Sequence, residues 1–554
     1  MVHETRVLPK DWLAGLKENW KSDIVSGFIL FLIALPLSLG IAMASGVPPL
    51  AGIIAAIVGG MFVSMVSGSH VVINGPAAGL IVVILAAVER LGGGIEGYHY
   101  ALAAAFVAGL LMFVLGLCKA GELGHFFPTS VVHGMLAAIG FIIIIKEIPI
   151  MIGAKPAAKE PLMLVAKIPG MVMNLNPEIA LIGVLSLILL ILHTLSKNPI
   201  VKTVPAPIAV VVLAIALGAF FDVNHAHTYS FCSHPFPIDP QKCLVVIPNN
   251  PLEGIAHPDF GKIGTAAFWV SAISILLVQG IETLLSASAV ADKLDPYRRP
   301  CNLSRDLSAV GLGSAISSLI GGLPMIAEIV RSTANVVNGA KTRWSNFFHG
   351  LFMLLFVILA AALIDRIPLS ALAALLIVTG YKLSSPKVFK ETHAIGGEQT
   401  IIFVTTIVAT LATDLLIGVT IGIITKFLLH IYHGVPVSSL FKAPVTVEQK
   451  DAQYLVSVGD AAIFSNYISI KSKLDKIPKD KIITIDLSGT KLVDHTVMDR
   501  LHQYAEERKR AGGELVLVGL DDHQPRSTHP LSMRRRPATR ASRPLDSQKS
   551  PLSK

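Results

Sequence analysis

Ile73-Asn74-Gly75-Pro76-Ala77-Ala78-Gly79 and Gly321-Gly322-Leu323-Pro324-Met325-Ile326-Ala327-Glu328 are the two stretches whose reading decides the fold. Each interrupts apolar sequence with Gly and Pro and then opens a new apolar run. Pro near a first turn, with Gly before it, is a helix-start signal. Inside a bilayer such a break is tolerated only where the freed backbone lines a cavity or packs in protein. A half-helix start offers unpaired N–H groups and the positive end of a dipole, which is an anion site made of backbone. Small residues at Ala77, Ala78, Gly79 and Ala327 let a solute approach closely. The expected binding residues are therefore Gly75, Pro76, Ala77 and Ala78 on the first break, and Met325, Ile326, Ala327 and Glu328 on the second. The competing reading is two ordinary Pro-kinked helices; the matched pair favours a binding site.

Outward from these breaks, the 554-residue chain is 53% apolar and only 15% charged, against about 25% charged in ordinary soluble domains. Its apolar residues fall into runs near the ~20 residues that a spanning helix needs. Disorder, collagen, a disulfide scaffold and a conventional soluble enzyme are excluded. The charges are uneven, with 49 in Met1–Gly434 and 34 in the 120 residues from Val435 to Lys554.

Cutting at Gly/Pro clusters and charges gives fourteen segments, starting near residues 24, 49, 76, 99, 130, 178, 205, 265, 306, 325, 346, 368, 399 and 414. The two breaks fall in the third and the tenth, seven apart, as an inverted repeat of seven plus seven requires. The expected fold is an α-helical polytopic membrane protein with fourteen transmembrane segments, followed by a small cytoplasmic α/β domain. Residues 1–21 read as a cytoplasmic segment, 22–434 as the transmembrane domain, 435–520 as the α/β domain and 521–554 as a basic, disordered tail. Ile24 to Ser45 is longer than a signal-peptide core and reads as a retained membrane helix. Loops on the N-terminal side carry 16 Lys and Arg against 8 on the other, which puts both termini in the cytoplasm. After Gly434, Ile482–Leu487, Val497–Arg510 and Glu514–Gly519 read as strand, amphipathic helix and strand, the parts of a βαβ unit.

Glu282 lies inside the eighth segment with Ser286 one turn on. A charge at a helix centre costs about 2.5 to 3.5 kcal/mol on insertion scales, so it needs a partner or a proton. Glu282 and Ser286 are the expected ion-coupling pair, taking H⁺ or holding a cation; a carboxylate satisfied by neighbouring hydroxyls is the bland alternative. Glu328 and Arg331 stand at i, i+3 and either neutralise each other or leave Arg331 to add to the positive field. His133 and His349 read as interfacial packing, and Leu91-Gly92-Gly93-Gly94 as a turn. No spacing suggests a metal, no cofactor is expected, and no nucleophile, base and orienter set suggests an enzyme. The basic residues are scattered over short loops, which argues against nucleic acid. Cys232 and Cys243 share a loop expected outside, and a disulfide and two free thiols both remain open.

With these residues in view, the chain resembles the SulP family of anion permeases. The residues that carry the resemblance are Pro36, Ala44-Ser45-Gly46-Val47-Pro48-Pro49 with Gly52, and Asn74-Gly75-Pro76-Ala77. Gly322-Leu323-Pro324 with Arg331-Ser332 and Asn335 to Gly339 add to it. Ile485-Asp486-Leu487-Ser488-Gly489 with Asp494 resembles the STAS domain that follows these permeases. The resemblance implies core and gate domains, substrate between the third and tenth segment starts, and an elevator-like movement of the core. It also implies that Glu282 is a coupling residue and that homodimers form. Two departures stand out. Glu328 replaces a small or neutral polar residue, and the STAS-like part carries Asp494-His495-Thr496 where related regulators have a phosphorylatable serine and stops after about three strands, which argues against phosphoregulation and points to a reduced, mainly structural or assembly role rather than nucleotide binding. The expected function is secondary active transport of an inorganic oxyanion, sulfate or bicarbonate, across the plasma membrane, coupled to H⁺ or Na⁺ or by exchange. The alternatives are a nucleobase or dicarboxylate permease of the same plan, or a voltage-responsive regulatory protein.

Overall fold

Helices begin at Pro49, Ala78, Gly94, Thr129, Pro177, Ala206, Ala266, Leu303, Trp344, Leu369, Gly397 and Leu415, each within about five residues of an expected start. The computed structural model describes residues 8–121, 127–154, 158, 160–231, 234–248, 250–297, 299, 301–450, 453–510 and 512–537. Among these, eight helices are long and apolar enough to cross a membrane; Pro161–Met173, Ala206–Phe220, Trp344–Ala360 and Gly397–Ala412 are shorter and apolar.

Two starts differ from expectation. The first helix runs from Trp12 to Ala44, because Asp11 caps it by accepting from the Trp12 N–H, so the expected boundary at residue 21 falls inside a helix. The tenth segment does not open as a helix at Met325. Ile326–Glu328 is extended, and helix resumes at Ile329.

The chain divides into two compact units, Met1–Gly124 with His133–Val388 and Thr406–Thr420, and His125–Val132 with Phe389–Thr405 and Ile421–Lys554. In the first unit, backbone meets backbone. A Cβ on Gly109 of helix Gly94–Leu117 would lie 2.7 Å from Ala315 N and Gly311 O of helix Leu303–Leu319. Small residues are what let helices close this far where no hydrophobic drive separates protein from lipid. The expected turn at Gly92–Gly94 is present; all three glycines have φ between 58° and 133°, a region closed to most side chains.

The second unit holds the expected βαβ element. Strand Glu514–Val518 pairs parallel with Ile482–Asp486, which pairs parallel with Gln453–Val458, which pairs antiparallel with Val445–Lys450. Helix His495–Arg510 covers this sheet, with Val497, Met498 and Leu501 buried against Val456, Ile483 and Ile485. A second sheet corrects the tail boundary at residue 520. Arg534–Arg535 pairs with Val493 and Leu492 of strand Thr490–Val493 and with Gln524–Pro525, and Met533 is buried. The apolar anchor at Met533, lost among the arginines of the sequence, holds the segment down. Residues 538–554 of the expected tail lie outside the described residues, as does Cys232; Cys243 is a free thiol.

In this unit Asp494 is fully buried and fully engaged. Its Oδ1 accepts from Val497 N at 2.7 Å, capping helix His495–Arg510, and its Oδ2 accepts from Phe464 N at 3.0 Å. Lys426 Nζ, also fully buried, lies 3.1 Å from Oδ2 and donates to Thr496 Oγ at 2.8 Å. His430 Nε2 stands 3.6 Å from the same carboxylate. Burial opposes ionisation of Asp494, but Lys426, His430 and the two N–H donors outweigh it and hold the carboxyl below the usual carboxylate range.

Candidate functional site

The two breaks meet. Strand Ile73–Gly75 pairs antiparallel with Ile326–Glu328, with Ile73 opposite Glu328, Asn74 opposite Ala327 and Gly75 opposite Ile326. Three residues of ladder satisfy backbone that the broken helices leave free, which is what irregular backbone at membrane depth requires. Room for the first strand comes from a π-helical turn at Gly59–Val63, where a Cβ on Gly59 would fall 2.2 Å from Asn74 O.

Beyond the first strand, Ala77 serves as N-cap of helix Ala78–Arg90, and no side chain caps that start. Beyond the second, Glu328 serves as N-cap of helix Ile329–Val337, again without a capping hydrogen bond. Neither first turn has a side-chain cap, although Leu80 N donates to Ala77 O at 3.1 Å in the first of them. Side chains from several helices hold the pair in place. Gln279 Nε2 donates to Met325 O at 2.8 Å and to the Ser314 hydroxyl, which itself accepts from Met325 N at 3.1 Å. Ser332 Oγ accepts from Ile73 N at 2.9 Å, and Asn335 Nδ2 donates to Val71 O at 3.0 Å.

Glu282, on helix Ala266–Ala289, lies against the first start. A Cβ on Gly79 would sit 1.8 Å from Glu282 Oε1, so glycine is what admits the carboxylate to the first turn. Glu282 and Ser286 are each 7% exposed. Arg331 is wholly buried, and its Nη1 would lie 3.0 Å from a Cβ on Gly75. Its Nε approaches Glu328 Oε2 at 2.7 Å, but not along the N–H direction, and none of its three nitrogens makes a hydrogen bond to the described residues. Asn74 Nδ2, Gln279 Oε1, Glu282 Oε1, Thr283 Oγ and Glu328 Oε2 are likewise buried without partners there. Buried polar groups are ordinarily satisfied, so a cluster of unsatisfied donors and acceptors marks a place for an ion, water or ligand.

The structure thus brings together Gly75, Pro76, Ala77 and Ala78, Met325, Ile326, Ala327 and Glu328, Arg331, and Glu282 with Ser286 one turn along its helix. Sequence reasoning missed Asn74, Gln279 and Thr283 as site residues. A signal for two of them existed, since Gln279 and Thr283 interrupt the same apolar run as Glu282. His349, expected at the interface, is fully buried and within electrostatic range of Arg331. Among the described residues no group of His, Cys, Asp and Glu is placed to hold a metal ion.

Residues 20–406 match the sulfate permease family. The chain is 24% identical over 520 residues to the putative sulfate transporter YvdB of Bacillus subtilis, covering 92% of this chain and 94% of that one. It is 24% identical over 422 residues to the bicarbonate transporter BicA of Picosynechococcus sp., covering 74% and 70%. The transmembrane domain of a cyanobacterial BicA superposes with a TM-score of 0.61 at 22% identity, over 72% of this chain and 97% of that chain. SLC26A9 superposes with a TM-score of 0.64 at 15% identity, over 91% and 85%. These likenesses establish a helical polytopic membrane fold followed by an α/β region, in a family of permeases rather than enzymes. The chain belongs to the sulfate permease family.

Proposed function

We propose that the protein is a secondary active transporter of an inorganic oxyanion, sulfate or bicarbonate. Gly75–Ala78, Met325–Ala327 and Arg331 receive the anion, and Glu282 with Ser286 carries the coupling H⁺ or Na⁺. The observation that carries this reading is Arg331, a fully buried guanidinium without a hydrogen-bond acceptor beside two uncapped helix starts. Guanidinium and helix N-termini are both groups that oxyanions seek. Fourteen crossings in a seven-plus-seven plan, cytoplasmic termini, a plasma-membrane location, a homodimer and elevator-like access belong to the same proposal, on the family resemblance and the loop charges. Purified protein in liposomes should accumulate labelled sulfate or bicarbonate under a proton or sodium gradient. Absence of flux for both anions overturns the reading. Glu282→Gln should abolish gradient-driven accumulation while sparing anion binding.

One observation favours a second reading. Two carboxylates, Glu282 and Glu328, stand near one another in the site, and carboxylates accept hydrogen bonds from ring N–H groups as a nucleobase permease would need. Competition of labelled sulfate uptake by bicarbonate, fumarate and uracil separates the two.

A further inference from the structure

The arginine at the centre of the site already has a negative neighbour. Glu328 Oε2 lies 2.7 Å from Arg331 Nε, yet both terminal nitrogens of the fork are without acceptors. A carboxylate or oxyanion engages a guanidinium best with two parallel hydrogen bonds. Glu328 makes neither, so it screens the charge of Arg331 without using its directional donors. The two groups differ in access: the Arg331 side chain is 0% exposed, whereas that of Glu328 keeps 16%. Glu328 is therefore the more accessible member of the pair, although its Oε2 facing Arg331 is itself buried.

The charge count makes this neighbour matter. The charged and titratable groups around Glu328 are Arg331 on the following helix and Glu282 on helix Ala266–Ala289, with His349 of helix Trp344–Ile364 within range of Arg331. With both carboxylates ionised, Glu282, Glu328 and Arg331 together carry one net negative charge. An arriving oxyanion would meet two like charges for one opposite charge, in a medium where Coulomb forces are strong. A neutral side chain at position 328 would free the whole guanidinium charge. The chain instead places a carboxylate at the entrance to that helix, on the strand residue opposite Ile73.

We propose that Glu328 is a tethered carboxylate that occupies the field of Arg331 while no anion is bound, and that an oxyanion gains Arg331 only as Glu328 takes up a proton. The proton comes from the water on the side from which the anion enters, adds to a Glu328 carboxylate oxygen, and leaves to water on the far side when the anion departs. Anion and proton then cross together, with Glu328 as a specificity and coupling residue additional to Glu282. This inference rests on the anion-transport reading above.

The test uses the full-length protein. Sulfate binding is read as sulfate-dependent thermal stabilisation in detergent, and labelled sulfate uptake is read in proteoliposomes. The wild type should bind and take up sulfate better at acid than at alkaline pH, by up to about tenfold per pH unit, the limit for one required proton. Glu328→Gln, which holds the neutral form, should bind sulfate at alkaline pH as tightly as the wild type does at acid pH and should lose that pH slope. Glu328→Asp should restore the slope. Monodispersity and melting temperature without sulfate establish that each variant folds. A folded Glu328→Gln protein that keeps the wild-type pH slope, or shows no sulfate stabilisation at alkaline pH, overturns the inference, and so does wild-type uptake driven by sodium alone. Failure of the wild type to carry or bind any oxyanion overturns the transport reading itself, a distinct result.

Discussion

Two buried charge clusters in this protein are built from the same kinds of side chain to opposite ends. In the C-terminal unit, Asp494 accepts from two backbone N–H groups and pairs with Lys426, which also donates to Thr496, and His430 Nδ1 is the one atom of this cluster without a hydrogen-bond partner among the described residues. In the first unit, Glu282, Glu328 and Arg331 sit together with five of their side-chain nitrogen and oxygen atoms meeting no hydrogen-bond partner among the described residues: Glu282 Oε1, Glu328 Oε2 and the three nitrogens of Arg331. A satisfied network fixes one arrangement, whereas an unsatisfied one is held open for something that arrives from outside. The difference separates a joint from a binding site using burial and hydrogen bonding alone.

The largest expected effect is on the joint. Asp494→Asn leaves Lys426 buried without its counter-charge and should destabilise the C-terminal unit by about 3–5 kcal/mol, read as a lower first melting transition of the full-length protein. Lys426→Met combined with Asp494→Leu should recover most of that loss, because paired apolar replacement of a buried ion pair is often neutral. It should stay about 1 kcal/mol short through loss of the cap on helix His495–Arg510. If the double variant is as unstable as the single one, the joint reading breaks.

Next in size, Arg331→Gln should lower anion flux by about 100-fold, equivalent to about 2.7 kcal/mol, and should lower the melting temperature because Glu328 loses its counter-charge. Adding Glu328→Gln should recover the melting temperature but not the flux; a double variant as unstable as the single one would mean that this cluster is structural too. Thr496→Val removes one hydrogen bond from the buried ammonium and should cost about 1.5 kcal/mol, without effect on flux.

The smallest effect concerns pH. Asp494 titrates below its ordinary value of 3.8 in the folded state. A depressed folded pKa gives stability that is present above the unfolded value and lost as pH falls through the folded one. The C-terminal unit should therefore weaken below about pH 4, and Asp494→Asn should flatten that dependence. An unchanged acid limb in the variant would show that other carboxylates govern it.

Much of this was legible from residue order. Apolar runs and Gly/Pro breaks located the helices because spanning length and helix starts are local properties, and Asn74-Gly75-Pro76 and Leu323-Pro324 announced the two interruptions. Glu282 and Arg331 stood out because charge in apolar sequence is costly. Gln279 and Ser314 did not stand out as the clamps on Met325, since their partners lie 46 and 11 residues away. The strand Arg534–Arg535 was hidden because its pairing with Val493 is likewise remote.

The sequence by itself determined the membrane class, the positions of the helices and the types of residue available at each break, all of which follow from local hydrophobicity and backbone preference. Only the tertiary structure decided that the two breaks pair residue by residue, that Gly79 makes room for Glu282, and that Asp494 is neutralised by a lysine 68 positions earlier while Arg331 is left without a hydrogen-bond acceptor. Those outcomes depend on which distant groups meet in a low-dielectric interior, where whether a charge has a partner is a property of packing and not of the order of residues.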